Sequence, residues 1–262
     1  MLRSRRLFSV ATVLAVVLAL PAGASANHSW GGYHWARTAN PFTIALGDNV
    51  SGLWDGMLAT ASFDWSQSTS GNPVRTTVVA GGTSAKSCRP TTGRVEVCSA
   101  NYRNSGWLGL AQIWITGGNH IVRGVVKNND YYFGSSSYQY NNTAEMQHVI
   151  CQEIGHTLGL GHTSEDGSSQ NTCMDYYHNT SASDTTSTHP NNHDYAQLAS
   201  IYSHLDSTTT IGSASTSNGS PQGSDASSWG RLVAGSRASG ESVYELRRSA
   251  SERVITFVIW AN

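Results

Sequence analysis

Residues 152–162 read Gln152-Glu153-Ile154-Gly155-His156-Thr157-Leu158-Gly159-Leu160-Gly161-His162. Four of the five fixed positions of the pattern H-E-x-x-H-x-x-G-x-x-H are present, with Gln152 where the first histidine would stand. On a helix, residues four apart lie one above the other. Gln152 and His156 can therefore face one metal ion. Glu153 sits about 100° around from Gln152, where it reaches a water on that metal without being a ligand. Gly159 falls where the helix should stop, because glycine adopts the left-handed conformation that ends a helix and turns the chain. That turn returns His162 as a third ligand. Three protein donors with an open fourth position make a catalytic zinc arrangement. Zinc lowers the pKa of water toward neutrality, and Glu153 is placed to act as general base.

With these residues in place, the chain resembles the metzincin clan of zinc metalloendopeptidases, in its matrixin-like form. Cys173-Met174-Asp175-Tyr176 is similar to the clan's Met-turn, in which a methionine underlies the metal. Tyr176 resembles the tyrosine that some members place near zinc to stabilise the oxyanion. Residues 190–195, with Leu198, Ile201 and Tyr202, resemble the clan's closing helix, and residues 106–115 resemble one of its sheet strands. The likeness spans about residues 33–206. It implies an α+β fold with a twisted mixed sheet, a zinc-site helix, a Met-turn and a C-terminal helix. It further implies a Zn2+ cofactor, metal donors Gln152, His156 and His162, catalytic Glu153 and Tyr176, and an extended peptide or protein substrate.

Gln152 is the departure. Its amide oxygen is a harder and weaker donor for zinc than imidazole. It is also neutral, so the site keeps its formal charge, and weaker metal affinity is expected rather than lost chemistry. The competing reading is an inactive secreted relative that binds peptides in the same cleft. Retention of Glu153 favours catalysis, because a scaffold without chemistry has no need of a base beside the metal. His148 lies about 12 Å from His156 along a helix axis, too far to share the ion, and is expected to support the site or line a groove. His178 and His189 read as solvated loop histidines; a metal sensor built on them is a third, weaker reading.

Residues 1–26 carry Arg3, Arg5 and Arg6, then an apolar run over 7–20, then Ala24-Ser25-Ala26. This order is that of an export signal, and the run is short for a membrane anchor. The mature chain is expected to begin at Asn27 and to be secreted. The formal net charge is −1 and charged residues are 13% of the chain, so neither a nucleic-acid nor a membrane surface is expected. The remainder divides into a metzincin-like protease domain over 27–206, a Ser/Thr/Gly linker over 207–225 and a short β-rich tail over 226–262. A monomer is expected.

The four cysteines are even in number and belong to an oxidising compartment. Cys88 and Cys98 flank a short loop and should pair. Cys151 and Cys173 precede Gln152 and Met174, and their pairing would clamp the helix to the Met-turn. The rival reading, with both as metal ligands, conflicts with the position of Cys151, about 100° off the ligand face.

Trp54, Leu58, Ala61 and Trp65 repeat at helical spacing, with Ser51 as expected cap. Strands are expected over 74–79, 95–97, 112–116 and 120–126. The edge that pairs with substrate is expected within 107–116. A helix over 143–158, capped by Thr143, carries the apolar stripe Met146, Ile150, Ile154 and Leu158. The tyrosines before it are expected to pack. Residues 207–225 read as flexible by composition. Residues 254–260 read as a strand whose hairpin partner is 242–246; a segment this small cannot bury much alone, so it should dock on the main domain or another molecule.

Overall fold

A computed structural model describes residues 27–212, 214 and 216–261; the export signal expected over 1–26 lies outside them. The chain folds as a mixed α+β protein built on one mixed sheet. Its strands are β1 (His34–Trp35), β2 (Phe42–Asn49), β3 (Val74–Ala80), β4 (Val95–Ala100), β5 (Trp107–Thr116), β6 (His120–Asn129), β7 (Arg231–Ser236), β8 (Glu241–Arg247) and β9 (Arg253–Trp260). The sheet order is β3-β2-β4-β6-β5-β9-β8-β7, with β1 paired to β6 outside this path. β3, β2, β4 and β6 run parallel, and every pairing from β6 through β5, β9 and β8 to β7 is antiparallel.

The helices are α1 (Leu53–Trp65), α2 (Asp130–Phe133), α3 (Thr143–Thr157) and α4 (Asn192–Ile201). α1 packs on α3, and α3 lies across β5 and β6. Trp54, Leu58, Ala61 and Trp65 are buried as their spacing implies, and Trp65 Nε1 donates to the Cys151 carbonyl at 3.0 Å. Two capping expectations are corrected. α1 is capped by Gly52 with no side-chain bond, and the Ser51 amide instead donates to Ser99 Oγ. α3 is capped by Asn142, whose side chain accepts from the Glu145 amide; Asn142 takes the extended conformation a cap needs while Thr143 is already helical. α4 begins with a capping box between Asn191 and Asp194.

The main correction concerns β5. It is not an edge strand, because β9 pairs antiparallel along it from Trp107 to Ile115. Alternate residues of both strands face opposite sides. Ala111, Ile113 and Ile115 of β5 join Ile255, Phe257 and Ile259 of β9 in the core beneath α3. Leu110 and Trp107 of β5 meet Val258 and Trp260 of β9 with Trp229 behind the sheet. Both faces are apolar, so this part of the sheet must be covered twice.

The second cover is the stretch expected to be a flexible linker. Trp107 Nε1 donates to the Ser224 carbonyl at 3.0 Å, Gln112 Nε2 to the Gly223 carbonyl at 3.2 Å, and Lys127 Nζ to the Gln222 carbonyl at 3.2 Å and Ser224 Oγ at 3.0 Å. The polar composition conceals a docked segment, because most of these hydrogen bonds are to backbone carbonyls that every residue type carries. Both disulfides, Cys88–Cys98 and Cys151–Cys173, are formed. No helix among the described residues is long and apolar enough to cross a membrane.

Candidate metal centre

α3 is buried over its whole length from Ala144 to Thr157, not only along its apolar stripe. Its polar face lies under the loop that follows α3 and under the C-terminal hairpin. Glu145 accepts from His178 Nδ1 and from the Asn179 amide, both at 2.6 Å. His148 Nδ1 meets the Ser187 carbonyl at 2.6 Å. Asp175 receives Gln152 Nε2 on its carbonyl at 2.9 Å.

The end of α3 turns as the glycine implies. Gly159 has φ +100°, and a Cβ there would lie 2.2 Å from the Tyr33 carbonyl oxygen. Both the left-handed conformation and the close approach require glycine. The returning chain sets the His162 ring 4.6 Å from that of His156. Below, Met174 Sδ lies 2.4 Å from where a Gly155 Cβ would stand, so the bare glycine admits the methionine directly under the helix. The Cys151–Cys173 bond and the hydrogen bond from the Thr163 amide to the Met174 carbonyl at 2.6 Å fix this floor against the helix and the returning strand.

His156 Nδ1 faces the Leu160 carbonyl at 2.9 Å. A carbonyl only accepts, so Nδ1 carries the proton and Nε2 presents its lone pair. That Nε2 has no hydrogen-bond partner. Burial holds the His156 pKa well below the ordinary histidine value and brings His162 down to about 3. Both rings are thus neutral, the form that binds metals.

Glu153 is fully buried and neither carboxylate oxygen has a hydrogen-bond partner. Gly109 on β5 makes the room: a Cβ there would stand 3.1 Å from Glu153 Oε1 and 2.5 Å from Val149 Cγ1. Burial, and next the nearby carboxylate of Glu241, push the Glu153 carboxyl well above its usual range. The Tyr176 ring stands edge-on to His162 at 4.5 Å, its hydroxyl buried without a partner.

The residues missed by the sequence reading come from the C-terminal hairpin. Glu241, the first residue of β8, is buried; its Oε1 accepts from Gln152 Nε2 at 3.2 Å and its Oε2 touches His162 Nε2. Phe257 of β9 stacks on His156 with ring centroids 4.1 Å apart and 6° between planes. Donor atoms of His156, His162 and Glu241 all lie within 4.8 Å of one another. One signal for Glu241 was in the sequence: on a strand of period two it shares the face of Val243, a core residue.

Buried polar atoms short of partners gather here: Gln152 Oε1, both Glu153 oxygens, His156 Nε2, His162 Nδ1 and Tyr176 Oη have none, and Glu241 Oε2 and His162 Nε2 have only each other. Each such group costs about 1–3 kcal/mol when left unpaired. Imidazole nitrogens with amide and carboxylate oxygens are a donor set that suits zinc. A divalent ion would satisfy several of them at once, so the residues fit a metal.

No protein-family model matches this chain, and no curated protein matches it. A solved structure of myroilysin is similar at 12% identity and a TM-score of 0.34, covering 64% of this chain and 96% of that one. A likeness of that size assigns neither family nor chemistry.

Proposed function

We propose that this protein is an exported zinc metalloendopeptidase of metzincin-like type. The observation that carries the reading is the convergence of the buried His156 and His162 rings beside the buried Glu153 carboxylate, with His156 Nε2 and both Glu153 oxygens unpartnered, all on one helix and its return. Two disulfides accord with an oxidising compartment. His156, His162 and the amide oxygen of Gln152 would hold the ion. Zinc held there supplies a Lewis acid that makes water nucleophilic near neutral pH.

The chain's own residues do the rest. Glu153 takes a proton from the attacking water. It then gives that proton to the leaving amine. The Tyr176 hydroxyl, kept protonated by burial, donates to the carbonyl oxygen as charge develops there. Met174 and the Cys151–Cys173 bond keep the donors in register. An extended peptide pairs with β5 by strand addition, which requires β9 to leave that strand.

The test is a peptide-library digest with zinc-loaded protein, on the intact chain and on a form whose C-terminal hairpin has been cut free. Chelator-sensitive cleavage that disappears in Glu153→Gln, with zinc still bound, is the expected result. No cleavage by either zinc-bound form overturns the reading in favour of a peptide-binding relative.

A further inference from the structure

Resting on that reading, we infer that Glu241 is a metal ligand delivered by the C-terminal hairpin, and that the hairpin is an inhibitory plug. The carboxylate reaches the site from a position 89 residues beyond Gln152. Its two oxygens are divided between the amide nitrogen of Gln152 and the Nε2 of His162. Glu241 is buried with His156 and His162, and ligand atoms of the three lie within 4.8 Å of one another, the spread expected of donors to one ion. Catalytic zinc sites keep one position for water, whereas closed four-donor sites do not. Gln152, His156, His162 and Glu241 supply four donors.

The rest of the hairpin occupies the other requirements of a substrate complex. β9 pairs with β5 over the length where an extended peptide would add, and Phe257 covers the face of His156. Gly235, at the end of β7, approaches the Tyr176 hydroxyl so closely that a Cβ there would stand 3.1 Å from it. The metal position, the Tyr176 hydroxyl and the strand for substrate are all met by one segment. Release therefore requires the hairpin to leave, and the exposed Ser220 and Pro221 lie on the connection that would be cut.

The ligand is tested by zinc affinity, measured by competition with a chromophoric chelator, and by Co2+ absorption. Glu241→Gln keeps the shape and an acceptor for Gln152, and should weaken zinc binding tenfold or more while changing the Co2+ spectrum. Glu245→Gln, on the same strand but outside the site, should leave both unchanged. Equal affinity in Glu241→Gln and wild type overturns the ligand. The plug is tested with a cleavage sequence inserted between Ser220 and Pro221: with both pieces kept in solution, zinc present and the fold followed by circular dichroism, peptide turnover should rise at least tenfold after cutting. Equal turnover before and after cutting overturns the plug and leaves the peptidase reading intact. Absence of turnover in both zinc-bound forms sinks the peptidase reading and the plug with it, while the affinity result for Glu241 still stands.

A separate observation points to a second metal site, about a different group of side chains. His34 of β1, His120 at the start of β6 and His204 after α4 direct Nε2 atoms at Asp206 Oδ1, at 3.5, 3.3 and 3.7 Å. His34 Nε2 and His204 Nε2 are 3.2 Å from each other. His34 Nδ1 faces the Gly32 carbonyl at 2.9 Å, so its Nε2 lone pair points into the cluster. At this distance His204 Nε2 either donates its proton to His34 Nε2 or shares a cation with it. Asp206 Oδ2 is committed to Arg37 at 3.0 Å, which leaves Oδ1 for the cluster. Ligand atoms of His34, His204 and Asp206 lie within 4.8 Å of one another, a donor set that suits zinc, with His120 beside Asp206, and the half-exposed His204 ring gives an ion a way in. Such an ion would pin the segment after α4 to the start of the sheet. Zinc content by elemental analysis should fall by one ion per chain in the His120→Asn/His204→Asn double variant. At equal free zinc, the double variant should gain less in Tm than wild type, because one native-state site is lost. Unchanged zinc content in the double variant overturns this site.

Discussion

Phe257 lies flat on His156, ring centroids 4.1 Å apart, although the two residues belong to opposite ends of the chain's chemistry: one on its last strand, one on the metal helix. The contact couples the docking of β9 to the position of a metal donor. Replacing Phe257 by alanine should destabilise the protein by about 3–5 kcal/mol, the range for emptying a buried aromatic site. It should also raise peptide turnover of the intact chain, because β9 is then held less firmly. Urea unfolding and a fluorogenic peptide assay check the two halves. A less stable variant with lower turnover would argue that Phe257 only supports the helix.

Gln152 keeps its amide nitrogen on the Asp175 carbonyl and Glu241, while its oxygen is buried and unpartnered. Gln152→His restores a nitrogen donor of the kind zinc prefers. Zinc affinity should rise by about tenfold or more, equivalent to about 1.4 kcal/mol. A fall in affinity, read by chelator competition, would mean that residue 152 acts through Glu241 rather than on the ion.

The Cys151–Cys173 bond closes a loop with a sequence separation of 22 residues between α3 and the segment that bears Met174. A loop of this length contributes about 3 kcal/mol in the chain-entropy description. The double serine variant should unfold at correspondingly lower denaturant. It should also bind zinc more weakly, because the floor under His156 is no longer tied to the helix. Unchanged zinc affinity in a variant that is merely less stable would confine the bond to folding.

Lys127 is buried behind the sheet, and burial, opposed by Asp225, pushes its ammonium down to about 8. The unfolded chain keeps this lysine near its ordinary value, so between the two values it binds the extra proton. Stability therefore rises with pH across that interval, by about 1.5 kcal/mol between pH 8 and 9.5. Below pH 8 both states are protonated and the cost of the buried charge is present in full. Tyr102, Tyr195 and Tyr202, held protonated by burial, act in the opposite sense only above that window. Urea titrations from pH 7.5 to 9.5 should show the rise in wild type and its loss in Lys127→Met. Parallel curves for the two proteins would show that the amine is not desolvated by the linker.

Much of the local structure was legible in the chain. The helix bearing Gln152, Glu153 and His156, the left-handed Gly159 and the packing of Trp54 to Trp65 follow from periodicity and backbone sterics, which act over a few residues. Cap positions were less legible: Ser51 and Asn142 differ from their neighbours by conformation as much as by type. The linker was misread because composition records side chains, and residues 222–224 dock largely through their carbonyls.

What the sequence by itself determined is the helix around residue 156, its stop at Gly159 and the return that brings His162 beside His156. What only the tertiary structure decided is that β9 lies on β5 and that Glu241 meets His162. These pairings join segments far apart in the chain, and strand partners are chosen by how two apolar faces are buried together. No local pattern encodes that choice, because a strand apolar on both sides can enter a sheet beside any neighbour that needs covering.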